Sequence, residues 1–138
     1  MSGMAGYSGT PLATKLGIKP AHIVGLVNAP ESFPALLEPL PDGVRFSPGV
    51  RSARDVVIAF FVQRHEFERK LAPMTKAIFP AGSLWIAWPK KAAKVPTDIT
   101  EDVVRGVALP TGLVDVEVCA IDEVWSGLRL VVRKELRP

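Results

Sequence analysis

The sequence predicts a three-layer α/β fold whose sheet is mostly parallel and ends in an antiparallel hairpin. Predicted strands alternate with predicted helices along the chain, the order that gives right-handed crossovers between parallel strands. Several strands are continuous apolar runs, which is typical of strands buried on both faces. The last two strands are joined by a tight connection, which indicates a hairpin. The 138 residues, 48% of them hydrophobic, correspond to one α/β domain over 1–138.

The first half of the chain predicts short elements. Thr10 can cap a first helix, Pro11 suits its first position, and Gly17 suits a left-handed exit from it. The apolar run 23–27 (IVGLV) predicts a strand buried on both faces. Two further elements follow, a short helix over 33–37 and an edge strand over 44–47.

The middle of the chain carries the strongest pattern. Residues 55–62 (DVVIAFFV) are β-branched and aromatic without interruption, which predicts a strand. Apolar side chains then recur at helical spacing over 67–78. Pro73 lies inside that pattern and would clash with the carbonyl of Arg69, so we expect a kink or two abutting helices. Residues 84–88 (LWIAW) predict another buried strand.

One more helix and a hairpin complete the prediction. Thr100 can cap the helix, which ends before Pro110. Strands over 116–124 and 128–133 follow, and we expect 125–127 (WSG) to be the turn between them.

The composition excludes several classes of protein. One cysteine, Cys119, cannot form an intramolecular disulfide or a multi-cysteine zinc site, and in an apolar run we expect an inert buried thiol. Two histidines, His22 and His65, leave little for a metal site or a histidine-based triad. The apolar runs are too short to span a membrane, and residues 1–19 lack the apolar core of a signal peptide. We therefore expect no metal, no membrane and a cytoplasmic protein.

The charge is mildly basic, at a formal +3. A nucleic-acid-binding protein usually concentrates its basic residues on one face, whereas here they are spread out, so we do not expect nucleic acid as a partner. Two modest clusters stand out: Lys90, Lys91 and Lys94, and Arg129, Arg133, Lys134 and Arg137. The simplest interpretation of both is a solvated basic surface.

Two stretches resemble class I S-adenosylmethionine-dependent methyltransferases. Residues 16–20 (LGIKP) and the strand over 23–27 resemble the start of that fold. Residues 55–61, the helix after them and 80–86 (PAGSLWI) resemble its fourth strand, next helix and fifth strand. The terminal hairpin matches its last two strands. The resemblance implies a Rossmann-like, methyltransferase-like sandwich.

The chain lacks both of the sequence features with which that superfamily binds its cofactor. In the superfamily the first strand runs into a glycine-rich loop, whereas 28–31 (NAPE) contains no glycine. An acidic residue after the second strand usually holds the ribose hydroxyls, whereas 46–48 (FSP) offers none. One strand–helix unit is also missing. The resemblance therefore implies a retained scaffold with no cofactor, and S-adenosylmethionine is the disfavoured alternative.

The whole chain also resembles a family of small bacterial proteins, a domain of unknown function. The shared segments are 6–12 (GYSGTPL), 88–91 (WPKK), 96–98 (PTD) and 124–128 (VWSGL). This resemblance implies the fold and no activity.

Candidate binding residues follow from the predicted topology, because ligands of open α/β sheets lie beyond the carboxyl ends of the strands. That edge collects Asn28, Arg64 and the segment Trp88, Lys90 and Lys91. An aromatic platform beside two ammonium groups can hold an anionic or aromatic ligand. The alternative is a core tryptophan followed by two solvated lysines.

Two further features have a functional and a structural interpretation. Thr97 and Asp98 can reach into the same crevice, or they cap the following helix. The segment 1–9, with Tyr7 and Ser8, can fold over the crevice as a lid, or it is a flexible terminus.

Two functions remain open on these grounds. The first is a non-catalytic module, without catalytic residues, that binds a partner protein or an anionic small molecule. The second is an S-adenosylmethionine-dependent methyltransferase-like enzyme with an altered cofactor loop. No Gly-x-Ser-x-Gly motif, P-loop or metal-spaced cluster points to another enzyme class.

Overall fold

The structure, a computed structural model, describes residues 10–138, so the segment with Tyr7 and Ser8 lies outside the described residues. Six strands form one sheet in the order β2-β1-β3-β4-β6-β5. The strands are β1 Ile23–Val27, β2 Arg45–Pro48, β3 Val56–Phe60, β4 Ser83–Pro89, β5 Leu113–Ala120 and β6 Trp125–Val132. The helices are α1 Leu12–Lys15, α2 Phe33–Leu36, α3 Arg64–Ile78 and α4 Glu101–Ala108, with 3-10 turns at Lys91–Ala93, Leu109–Thr111 and Lys134–Leu136.

The strand directions confirm the predicted fold class. Strand β1 pairs in parallel with β2 and β3, and β3 pairs in parallel with β4. Strand β6 then pairs antiparallel with both β4 and β5. The result is a mostly parallel sheet that ends in an antiparallel hairpin, with helices on both faces.

The core has two layers, one on each face of the sheet. Alternate side chains of β3 and β4 enter opposite layers, as the period of two in a strand requires. Helices α3 and α4 cover one face, and α1 and α2 cover the other. Trp85 is fully buried on the α1 face, where its Nε1 donates to the carbonyl of Leu16 at 2.9 Å. This bond attaches the end of α1 to the centre of the sheet.

The connection from β2 to β3 contains no helix. A parallel crossover usually needs a dozen or more residues, whereas here 49–55 return across β1 to the start of β3. The side chain of Arg54 fills the space beneath this segment and is only 7% exposed. Its guanidinium donates to Ser47 Oγ and Ser52 Oγ and to three backbone carbonyls. A buried arginine thus organises the crossover that replaces a helix.

The predicted hairpin turn is wrong. Residues 125–127 belong to strand β6, and the turn lies at 121–124. Asp122 sets this position, because its Oδ1 accepts from the backbone N–H groups of Val124 and Trp125, both at 2.8 Å. Little space is left for a side chain at Gly127 inside the strand, since a Cβ there would lie 3.0 Å from Ile121 Cδ1 and 3.1 Å from a ring carbon of Trp85.

Two helix predictions also need correction. Helix α3 is a single helix with Pro73 inside it, so of the two alternatives, a kink or two abutting helices, the second is wrong. Buried side chains on both sides of the proline, Leu71 and Met74, pack in the same core layer. Pro11 is the N-cap residue of α1, whereas the sequence predicted it at the first helical position. Gly17 has the predicted positive φ, of 80°.

No helix within residues 10–138 is both long and apolar enough to cross a bilayer.

Candidate functional site

The topological switch point lies at the carboxyl ends of β1 and β3. Strand β2 lies on one side of β1 and β3 on the other, so the chain reverses direction along the sheet at this point. Asn28 follows β1 directly, and residues 61–63 lead from β3 into α3. This is the place where the fold would open a crevice for a ligand.

The side chain of Asn28 crosses that crevice. Its Nδ2 donates to the carbonyl of Phe60 at 3.1 Å and to Glu66 Oε2 at 3.3 Å. The same carboxylate oxygen lies 3.3 Å from Lys70 Nζ. Asn28 has a φ of 56°, a left-handed conformation that asparagine tolerates better than most residues. The ends of β1 and β3 are therefore linked by a side chain at the position where a ligand would enter.

Thr97 and Asp98 link the other side of β3. Thr97 Oγ1 donates to the carbonyl of Val62 at 2.6 Å, and Asp98 Oδ1 accepts from the backbone N–H of Arg64 at 2.6 Å. Asp98 therefore satisfies an amide at the start of α3. The expectation that these residues cap the following helix is wrong, because Thr100 caps α4 by accepting from the N–H of Val103 at 3.2 Å.

The side chain of Arg64 lies along α3. Its Nε donates to Glu68 Oε2 at 2.8 Å, an ion pair one helical turn apart between two half-exposed side chains. The structure thus gathers Asn28, Arg64, Thr97 and Asp98 around the end of β3. Each of them already has a partner within the chain.

The segment after β4 divides into a buried and an exposed part. Trp88 is 6% exposed and belongs to the core layer under α3 and α4, as the core alternative predicts. Lys90 is half-buried, and its backbone N–H donates to the carbonyl of Val124 at 2.7 Å. Lys91 is exposed at the start of a 3-10 turn. The two lysines are therefore the solvent-accessible part of this candidate site.

Two cavities lie away from the carboxyl edge. One, of about 520 Å³, is an apolar groove between α3 and the end of α4, lined by Leu71, Phe79 and Val107 among others. The other, of about 430 Å³, is a polar cavity at the amino edge of the sheet. Sequence reasoning missed the second one, because its lining comes from residues 17–23, 53–56 and 78–83 together with Arg129, which no local pattern connects.

The thiol of Cys119 lies on the α1 face of the hairpin and is 8% exposed. Burial raises the pKa of this thiol above its usual range. A neutral, enclosed thiol fits the predicted inert role and is a poor nucleophile.

Comparison with known proteins gives likeness of structure alone. No protein-family model and no curated protein sequence matches the chain. A SAM-dependent methyltransferase from Aquifex aeolicus aligns with a TM-score of 0.64 at 13% identity, over 88% of each chain.

Two other solved structures align with this chain at similar TM-scores and similarly low identities. Magnesium protoporphyrin IX methyltransferase from Synechocystis, with bound SAM, aligns with a TM-score of 0.58 at 10% identity, over 88% of this chain and 74% of that one. The Methanococcus jannaschii fibrillarin pre-rRNA processing protein aligns with a TM-score of 0.57 at 12% identity, over 88% and 73%. At these identities the likeness shows the fold, and this chain has the methyltransferase-like Rossmann fold.

Proposed function

We propose that this protein is a non-catalytic binding module on a methyltransferase-like scaffold, and that its ligand is a partner protein or an anionic small molecule. One observation carries the proposal. The crevice at the switch point is crossed by a hydrogen bond from Asn28 to the end of β3. A scaffold that keeps its sheet order while the Asn28 side chain links the ends of β1 and β3 is better suited to binding elsewhere than to chemistry there.

The residues at the switch point do not fit S-adenosylmethionine. The loop after β1 would have to approach the cofactor with its backbone, but Ala29 carries a Cβ and Pro30 lacks an N–H. The amide of Asn28 is already bonded to Phe60 and Glu66. Residues 45–54, which form β2 and the segment after it, contain no carboxylate for a ribose. We therefore derive no methyl transfer from this site.

The exposed side chains at the carboxyl edge supply a surface for the proposed partner. This carboxyl-edge surface consists of Asn28, Arg64, Lys90, Lys91, Thr97 and Asp98, with Trp88 packed beneath it. It carries cationic, anionic and amide side chains, which can form the polar contacts typical of the rim of a protein interface.

The alternative is a methyltransferase-like enzyme with an altered cofactor loop. It is favoured by the neighbours, one of which is described with bound SAM and aligns over most of this chain. For that function Asn28 would have to release Phe60 and open the crevice.

Isothermal titration calorimetry of the full chain with S-adenosylmethionine separates the two functions. The proposal predicts no saturable heat, with S-adenosylhomocysteine giving the same result. Binding with a micromolar dissociation constant would reject the non-catalytic module and favour the alternative. Circular dichroism of the same sample shows whether the chain is folded.

A further inference from the structure

The polar cavity at the amino edge carries an excess of positive charge. Three cationic residues, Lys19, Arg54 and Arg129, are among those that line it, together with one acidic residue, Asp55. That carboxylate is already bound, because its Oδ2 accepts from the backbone N–H of Ile23 at 2.7 Å. The residues that line the cavity therefore include more cations than carboxylates, and one of these cations, Arg129, also pairs with Glu117 outside the lining.

Arg129 has guanidinium N–H groups that are not engaged in hydrogen bonds within the described residues. It lies opposite Trp85 in the β4–β6 pair, on the face that the end of α1 covers. Its Nη1 donates to Glu117 Oε1 at 3.2 Å. Within the described residues its Nε is buried without a hydrogen-bond partner. A guanidinium with one of its donors engaged retains the geometry for a second oxyanion.

Gly17 and His22 shape the space beside this guanidinium. A Cβ on Gly17 would lie 3.5 Å from Arg129 Nη2, and the positive φ of Gly17 also disfavours a side chain there. His22 Nδ1 accepts from the backbone N–H of Lys19 at 3.1 Å. The neutral ring therefore carries its proton on Nε2, which makes it a donor at the cavity wall.

Arg54 adds charge from the other face of the sheet. Its side chain lies over Gly25, and all its hydrogen-bond partners are neutral oxygens. Its Nε is also buried without a partner within residues 10–138. The two buried side-chain nitrogens of the described structure that lack a partner thus both belong to arginines that line this cavity.

We infer that this cavity binds a phosphate dianion, either free or as a phosphate monoester, with Arg129, Lys19 and His22 as the donors to its phosphoryl oxygens. A guanidinium matches the oxygens of a phosphate in pairs, and an ammonium adds a point charge. The excess of cations among the lining residues attracts a dianion, and the volume of about 430 Å³ leaves room for an organic group. The inference rests on the proposed function, since it names the anionic small molecule and its site.

Titration with glucose 6-phosphate and with inorganic phosphate, at constant ionic strength, tests the inference on the full chain. The variants are Arg129→Gln and Lys19→Met. Their matched controls are Arg133→Gln and Lys134→Met, which remove the same charges from exposed positions after β6. We expect saturable binding by the native protein, at least about tenfold weaker in the two cavity variants and unchanged in the controls. Lys19 is exposed, so its variant decides the matter if the Arg129 variant is unstable.

The two probes distinguish the source of the phosphate. Tighter binding of glucose 6-phosphate indicates a phosphorylated metabolite, and equal binding indicates free phosphate; both support the inference. Absence of saturable binding, or equal weakening in the controls, would overturn it. A loss confined to a Lys90→Ala, Lys91→Ala protein would also overturn it by placing the anion at the carboxyl-edge surface.

The inference and the proposed function fail separately. Phosphate binding at Arg129 together with tight S-adenosylmethionine binding would reject the non-catalytic module and keep the amino-edge site. Absence of both would reject the site and keep the module.

Discussion

The absence of a side chain at Gly25 allows the crossover from β2 to β3 to lie flat on the sheet. A Cβ there would lie 2.9 Å from the carbonyl oxygen of Gly49 and 3.3 Å from Arg54 Cδ. The first of these neighbours is backbone, so it cannot rotate away. The close approach, and not a positive φ, is what requires glycine at this position.

We predict that Gly25→Ala destabilises the protein by about 1–3 kcal/mol, the usual cost of overpacking a core. Gly106→Ala is the matched control, because a Cβ at this helical position meets nothing within 4 Å. The control should gain about 0.5–1 kcal/mol from helix propensity. Urea unfolding gives the free energy of unfolding of both variants. A similar change in the two would show that the crossover does not pack closely against β1.

Cys119 should resist alkylation in the folded protein. Its raised pKa keeps the thiol protonated at a pH where a free cysteine is already partly thiolate. We predict slow reaction with iodoacetamide at about pH 8.5, and fast reaction of the same chain in guanidinium chloride. Mass spectrometry of timed samples measures both rates. Equal rates would mean that the thiol is accessible and that the hairpin does not close over it.

At the scale of elements, the loop before α4 holds the start of α3. Asp98 satisfies the backbone N–H of Arg64, one of the amides that a helix leaves without an intrahelical partner. Thr97 bonds to the strand end beside it. Two loops that are 34 residues apart in sequence are thereby joined at the carboxyl edge.

We predict that Asp98→Ala lowers stability by about 0.5–2 kcal/mol, the range found for loss of a helix cap. Asp98→Asn should lose less, because its amide oxygen still accepts from the same N–H group. Hydrogen exchange of the Arg64 amide gives the local effect, and urea unfolding gives the global one. Faster exchange in the alanine variant alone agrees with this account, whereas unchanged exchange in both variants contradicts it.

Elements were predictable from the sequence where a single local pattern decides them. The strand at 23–27 and the helix that Thr100 caps were predicted correctly, since an apolar run and a capping residue act within a few positions. The hairpin turn was not, because 125–127 have the composition of a turn while the Asp122 side chain forms the turn just before them. A side chain that bonds to the backbone around it leaves no periodic signal.

The candidate site was predictable only in part for a related reason. The order of parallel strands brings Asn28 and Arg64 to one edge, and this follows from topology alone. The Asn28 side chain bonds to Phe60, and the Arg54 side chain packs under the crossover. Both contacts depend on side-chain directions, which the spacing of residues in the sequence does not reveal. The amino-edge cavity depends on pairing between Trp85 and Arg129, two residues that are far apart in the chain.

At the scale of the whole molecule, the two edges of the sheet have different properties. The carboxyl edge, where this fold usually opens to a ligand, is bridged by hydrogen bonds at Asn28, Thr97 and Asp98. The amino edge holds a polar cavity with more cations than carboxylates. A methyltransferase-like scaffold with this distribution supports binding without methyl transfer as its proposed function.

The most direct measurement of this claim is a crystal structure of the full chain soaked with S-adenosylmethionine. We expect an intact hydrogen bond between Asn28 and Phe60 and no nucleoside density beside Ala29 and Pro30. Density for the cofactor at that position, with the Asn28 side chain displaced from Phe60, would contradict it.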